Sequence, residues 1–396
     1  MSTLDLNIID IFHGDTPVLK VMKGDVEKWP IRPYDSEVEF LESSGYQYFE
    51  IPVKPNEATD AIEFVFRRTD GSYQQRFASC GDTNVMNIYI NGSGRIAYNN
   101  GSWTALSSNN RTTVGLMRHT LKMDYASKKA TYDFDSFNLT INSPRTATDN
   151  LRLFGPHGTN AVYKGLIYGV RYWRSGTLLY DLQPVRRGGV GYLYDKVGGG
   201  MYGNAGAGVF TLGYDKYTSL SDYTQVDYIQ NNTATENSPY IDVGLISNGS
   251  LGAIDMQMTV KWNTIDSTKD QIHGSSYSPH FGCEKGAYKT NGVDMGLPTP
   301  STTSYDTVSM TTYSGTPTYV GTMALFRSIS PNAKTYTETT YICSCKLKAC
   351  KIWVAGTLVR DYVPVLHPAN VYGLFDKIEN KFYASATSEN FTGGFD

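Results

Sequence analysis

Leu121, Met123 and Tyr125 alternate with Lys122 and Asp124 up to a Ser127-Lys128-Lys129 turn, and residues 132–134 return. A period of two with one wet face is the pattern of an antiparallel β-strand. Shorter runs at 61–67, 85–90, 95–98 and 114–117 carry the same strand signals, with turn residues between them. No stretch carries the 3.6 period of a helix. Many strands at short spacing predict an all-β protein built as a sandwich.

The apolar pattern is also used twice. Trp173, Gly176, Asp181 and Pro184 recur as Trp353, Gly356, Asp361 and Pro364, and Asp195, Lys196, Tyr202 and Phe210 recur as Asp376, Lys377, Tyr383 and Phe391. Residues 151–154 (Leu-Arg-Leu-Phe) match 323–326 (Met-Ala-Leu-Phe), and residues 38–49 match 226–242. Self-similarity in one register means one module built twice. Within it, Ser175-Gly176 and Ala355-Gly356 read as tight turns between two strands, and the proline after Asp-x-x reads as the end of the return strand, because it lacks an N–H. These landmarks point to a scaffold rather than to two active sites.

The repeat divides the chain into a leader of residues 1–34, a first domain of 35–215 and a second of 216–396. The join at 213–222 is short and holds two tyrosines, which predicts a closely docked boundary. The leader has its own echo, Ile11-Phe12-His13-Gly14-Asp15 against Val21-Met22-Lys23-Gly24-Asp25, with Trp29-Pro30 closing it. Two hairpins of this size cannot bury a core alone. They are expected either as an attachment segment, with Ile11, Phe12, Val21, Met22 and Trp29 as docking residues, or as a plain terminal strand pair. The stretch 286–317 is rich in Thr, Ser, Pro and Gly, and the clean hairpin of the first copy is hard to find there.

Composition narrows the classes of function. A net charge of −3 with no basic stripe gives no purchase on nucleic acid. No apolar run reaches the roughly 20 residues of a membrane span, and the first residues lack a signal-peptide pattern, so synthesis in a cytoplasm without membrane insertion is expected. Cys80, Cys283, Cys343, Cys345 and Cys350 have no disulfide framework spacing and read as buried free thiols.

Gly-x-Leu-x-x-Asp-x-x-Pro-Val followed by Leu-(Tyr/Phe)-Asp-Lys, with Leu-x-Leu-Phe ahead of them, resembles the concanavalin-like (laminin-G-like) jelly-roll domains of tailed-phage and gut-bacterial surface proteins. The Gly-Asp echoes of the leader resemble short leaders of phage structural proteins, including those of crAss-like phages. The resemblance implies two tandem antiparallel jelly-roll β-sandwiches after a short β-rich segment. It also implies a non-enzymatic virion surface protein, either a head fibre or a capsid decoration. Capsid or other virion proteins are the partners it implies, through the leader. A tail-fibre receptor-binding protein and a bacterial surface lectin are the alternatives. Exposed strand edges suggest a dimer or trimer.

Candidate chemistry is sparse. Glycoside hydrolysis needs paired carboxylates about one cleft; no Glu-x-Asp-x-x-Glu run exists, and Asp133 with Asp135 reads as a solvated strand edge, so no catalytic residue is assigned. The six histidines show no zinc spacing. No cofactor is expected, with calcium left open through loop oxygens such as Asp82 or Asp149. Glycan binding is the functional candidate. Asn99-Asn100-Gly101-Ser102-Trp103 supplies amides and a ring from one loop, although Trp103 has a second reading as a lid on the core.

Overall fold

The computed structural model describes the backbone at 12–13, 16–17, 20–23 and 26–30, and then residues 33–69, 75–81, 85–99, 103–106, 114, 117–133, 135–155, 163–217, 219–232, 238–247, 253–265, 270–275, 280–284, 287–290, 293–311, 321–329, 341–387 and 389–396. Within the leader, Phe12–His13 pairs with Thr16–Pro17 and Lys20–Lys23 with Val26–Pro30, each pair flanking a Gly-Asp. Two hairpins therefore stand where the echo predicts them. Ile11 and the side chains of Phe12, Val21, Met22 and Trp29 lie outside the described residues.

No α-helix occurs among the described residues, and four larger sheets, antiparallel but for the pairing of Asp270–Ser275 with Arg327–Ile329, carry both halves. In the first half a small sheet runs Trp103–Ala105, Ile96–Asn99, Asn87–Ile90, Arg76–Ser79, Leu151–Leu153, Phe49–Ile51. The large sheet of that half runs Asp135–Asn138, Lys129–Tyr132, Arg118–Asp124, Asp60–Arg68, Lys164–Arg174, Thr177–Arg187, Val190–Asp195, Met201–Tyr202. The second half repeats this order. Its large sheet runs Asp306–Thr311, Ile254–Trp262, Cys345–Val354, Thr357–His367, Val371–Asp376, Lys381–Tyr383. Its small sheet runs Val293–Asp294, Ala287–Thr290, His280–Glu284, Asp270–Ser275, Gly321–Leu325, Ile241–Ser247. Each half is a jelly-roll sandwich whose inner faces close on one core, one around Phe64, Phe77 and Phe154, the other around Trp262, Phe326 and Leu347. Asp306–Thr311 takes the place of Arg118–Asp124, so the outgoing strand of the hairpin survives in the divergent stretch.

The duplicated residues hold the shape of each half. Ser175 and Gly176 have φ of 51° and 79°, and Ala355 and Gly356 have 48° and 77°. Positive φ at both central positions is the hairpin turn that matches strand twist. The ladder slips by one residue between Tyr172 and Trp173, and again between Ile352 and Trp353, so even the bulge is copied. Asp195 Oδ1 accepts N–H bonds from Asp181 and Val197 at 3.0 Å, and Asp376 Oδ1 accepts those of Asp361 and Ile378 at 3.0 Å. A buried carboxylate thus ties the return strand to the next turn in both copies.

One expectation is overturned. Pro184 and Pro364 do not end their strands; they sit inside Thr177–Arg187 and Thr357–His367. The carbonyls of Pro184 and Pro364 accept the N–H of Val38 at 3.1 Å and of Val226 at 3.2 Å. In a strand the N and C=O of one residue face the same side. The missing N–H therefore faces the short strands Ser36–Glu37 and Thr224–Gln225, and the ladder on the other side stays intact.

The halves are joined without slack. Asp215 accepts from Ser36 Oγ at 2.6 Å and pairs with Arg186 at 2.8 Å, while Lys216 N donates to Glu37 O at 2.8 Å. Tyr214, Tyr217, Leu220 and Tyr223 then cover Val363, Val365, Val371, Phe375 and Phe382 on the outward face of the second large sheet. Met117, expected to continue a strand of the first half, belongs instead to the core of the second, and Arg118 N donates to Asp242 Oδ2 at 2.8 Å.

Candidate functional site

On the small sheet of the first half, Ile88, Ile90, Ile96 and Tyr98 turn into the core, so their alternates turn outward. The register sets Asn87 against Asn99 and Asn99 against Trp103, with Tyr89 beside them opposite Ala97 and Arg76. Asn99 and Trp103, loop neighbours in the sequence reading, are thus cross-strand partners on one face. Trp103 is 48 % exposed, so its ring is no lid on the core. Tyr89 holds it edge-on, with ring centroids 4.2 Å apart and planes at 62°. Asn99 is buried, and Asn100 lies outside the described residues.

Tyr89 and Arg76 are the members of this face that sequence reasoning missed. Burial pushes the Tyr89 phenol up, against the pull of the Arg76 charge, and the same burial lowers the Arg76 guanidinium. Alternation along 87–90 was the signal that could have found Tyr89. Nothing local announces that Arg76 lies beside it, because their pairing spans a bulge in the ladder. Chemically, the face offers an aromatic surface on an edge strand, flanked by an amide and a guanidinium.

The other candidate residues are dispersed. Asp133 is not a solvated strand edge; its carboxylate takes His119 Nδ1 at 2.8 Å and Thr120 N at 2.9 Å. Asp181 pairs with Arg171 at 3.5 Å and Asp361 with Lys351 at 3.8 Å, each within its own half. Asp60 is fully buried. Burial raises its pKa, but Arg174, Tyr172, Thr59 and the Asn56 N–H together hold it below the ordinary carboxylate value. Asp149 lies over Gly81, beside Glu50 and Arg152, which pair at 3.6 Å. Asp82 lies outside the described residues, and among those described no three His, Cys, Asp or Glu gather about a metal position. Cys80, Cys343, Cys345 and Cys350 are buried thiols outside any disulfide, and the side chain of Cys283 lies outside the described residues.

A solved structure gives one likeness. The chain is similar to the LG4-5 domain pair of the mouse laminin alpha1 chain. The superposition covers 83 % of this chain and 92 % of that one at 10 % identity, with a TM-score of 0.31. No protein-family model matches the chain, and no curated protein matches it.

A concave region lies at the junction. A cavity of about 480 Å³ there is lined by Phe40, Tyr168, Arg118, Asp242 and Tyr383, among others. The Arg118 guanidinium lies 4.3 Å from the Tyr168 ring centre. Lys381, over the Tyr383 ring at 4.4 Å, is pushed down to about 7 by burial and by Arg118. Glu39 and Glu379 pull it up and Lys216 pushes it down, so charges of both signs act here.

Proposed function

We propose that this chain is a non-enzymatic glycan-binding protein displayed on a virion surface, with the outward face of the first small sheet as its binding platform. The observation that carries the binding reading is the half-exposed Trp103 ring, braced by Tyr89 and set opposite Asn99. An exposed ring packed on a second ring makes a contiguous aromatic surface, which a single exposed side chain does not. A flat ring takes the C–H face of a sugar, and the exposed Trp103 ring offers such a surface. The virion part of the reading, as head fibre or capsid decoration, rests on the duplicated Gly-x-Leu-x-x-Asp-x-x-Pro-Val and Leu-(Tyr/Phe)-Asp-Lys stretches and on the Gly-Asp leader.

The test of binding is affinity electrophoresis of the full chain through gels containing host or mucosal polysaccharides. Retardation is expected for at least one polysaccharide, and Trp103→Ala should reduce it about tenfold or more, as loss of a ring worth roughly 1.4 kcal/mol requires. Retardation that is equal in Trp103→Ala would move the site elsewhere. Reducing ends that accumulate during the incubation would make the protein an enzyme. Imaging of intact particles tests the location.

A further inference from the structure

We propose that the outward face of the first large sheet is a docking surface for the residues that lead into it, Val26–Pro30, with Trp29 as the anchor. The argument comes from comparing the two halves position by position. In the second half the corresponding face (His367, Val363, Val365, Val371, Phe375 and Phe382) is covered by Tyr214, Tyr217, Leu220 and Tyr223. Those four lie in the chain that leads into the short strand Thr224–Gln225.

The same positions in the first half are Arg187, Gln183, Val185, Val190, Tyr194 and Met201; Val185 is as buried as Val365, but over the others the cover is incomplete. Val190 is 45 % exposed where Val371 is 7 %, and Tyr194 and Met201 are part-exposed where Phe375 and Phe382 are 1 % and 6 %. Cross-strand pairing sets Gln183, Tyr194 and Met201 in one row of this face, and Val185 with Tyr192 in the next. Val190, Tyr194 and Met201 thus leave a part-exposed apolar and aromatic strip on the sheet, and such a strip marks a contact surface.

The chain points to its occupant. Tyr34 leads into the short strand Ser36–Glu37, and its ring already lies 4.9 Å from that of Tyr194. In the second half Tyr223 does the same to Phe375 at 5.1 Å. The next residues upstream of Tyr34 are those that stand where the tyrosine-bearing join stands in the second half, and their one large ring is Trp29. Tyr192 replaces Gly373, which makes the receiving surface shallower and suits a flat indole. The surface is independent of the glycan reading, since the two lie on opposite sheets of one sandwich. A leader held there would leave the Trp103 face directed away from the point of attachment.

Hydroxyl-radical footprinting of the full chain, read by mass spectrometry, tests this. Met201 and Tyr194 should be oxidised several-fold faster in Trp29→Ala than in the native chain, with the 70 % exposed Tyr46 as an unchanged internal reference. Trp29→Phe should restore most of the protection. Val190→Lys, which spoils the receiving face and keeps Trp29, should raise oxidation of both Met201 and Trp29. Equal labelling of Met201 in native and Trp29→Ala chains would overturn the proposal. So would protection that vanishes on dilution, which would assign the cover to a second copy.

Discussion

Replacing Tyr223 by alanine should loosen the join between the sandwiches and lower the stability of the second one. Tyr223 is buried among Phe375 at 5.1 Å, Phe382 at 5.4 Å, His367 at 5.6 Å and Tyr217 at 5.9 Å. Truncation of a buried aromatic costs about 3–5 kcal/mol. The lower end applies, because the site is a cover over a sheet and can partly collapse. About 3 kcal/mol on a half of this size lowers its melting transition by roughly 6–12 °C. Differential scanning calorimetry of the full chain should show one transition moving down while the other stays nearly fixed. Tyr223→Phe removes only the bond from its hydroxyl to Tyr217 O, 3.2 Å long, and should cost about 1 kcal/mol or less. If Tyr223→Ala leaves both transitions within about 2 °C of the native values, the join is mere tether and the packing argument fails.

Two other outcomes follow from the same geometry. His367 is buried among Tyr214, Tyr217, Tyr223 and Phe382, and its Nδ1 accepts the Ala369 N–H at 2.9 Å. Burial lowers its pKa, against the pull of the Asp215 carbonyl and the Asp215 and Glu39 carboxylates. The unfolded chain therefore takes up the proton first, so stability falls as pH drops through about 6.5 and is recovered above it. Melting curves between about pH 7 and 5 should slope less in His367→Gln than in the native chain, and equal slopes would refute the assignment. Separately, Gly176→Ala and Gly356→Ala each force a side chain into the left-handed region with open space around it. Each should cost about 1–2 kcal/mol, and the double variant should show the sum; strong coupling would contradict two independent cores.

The landmarks of the repeat were readable because they are local. A turn needs positive φ at Ser175-Gly176 and Ala355-Gly356, and the carboxylates of Asp195 and Asp376 reach N–H groups only a few residues away or one strand over. Pro184 misled for a related reason: the chemistry of a missing N–H was right, but which side of the strand it faces depends on a partner 146 residues earlier, Val38. By sequence Asn99 and Trp103 are loop neighbours, and the sheet makes them register partners. Arg76 and Tyr89 joined them only through the ladder.

Alternation, turn chemistry and duplication in the sequence by themselves determined an all-β chain with one framework used twice, because strand faces and turns are decided by neighbours a few residues apart. The tertiary structure alone decided that Met117 fills the core of the other half, that the tyrosines of the join cover one large sheet, and that Val190 on the matching sheet of the first half is 45 % exposed where Val371 is 7 %. Those outcomes depend on which surfaces meet at long range. A period along the chain gives the faces of a strand, but not what lies against them.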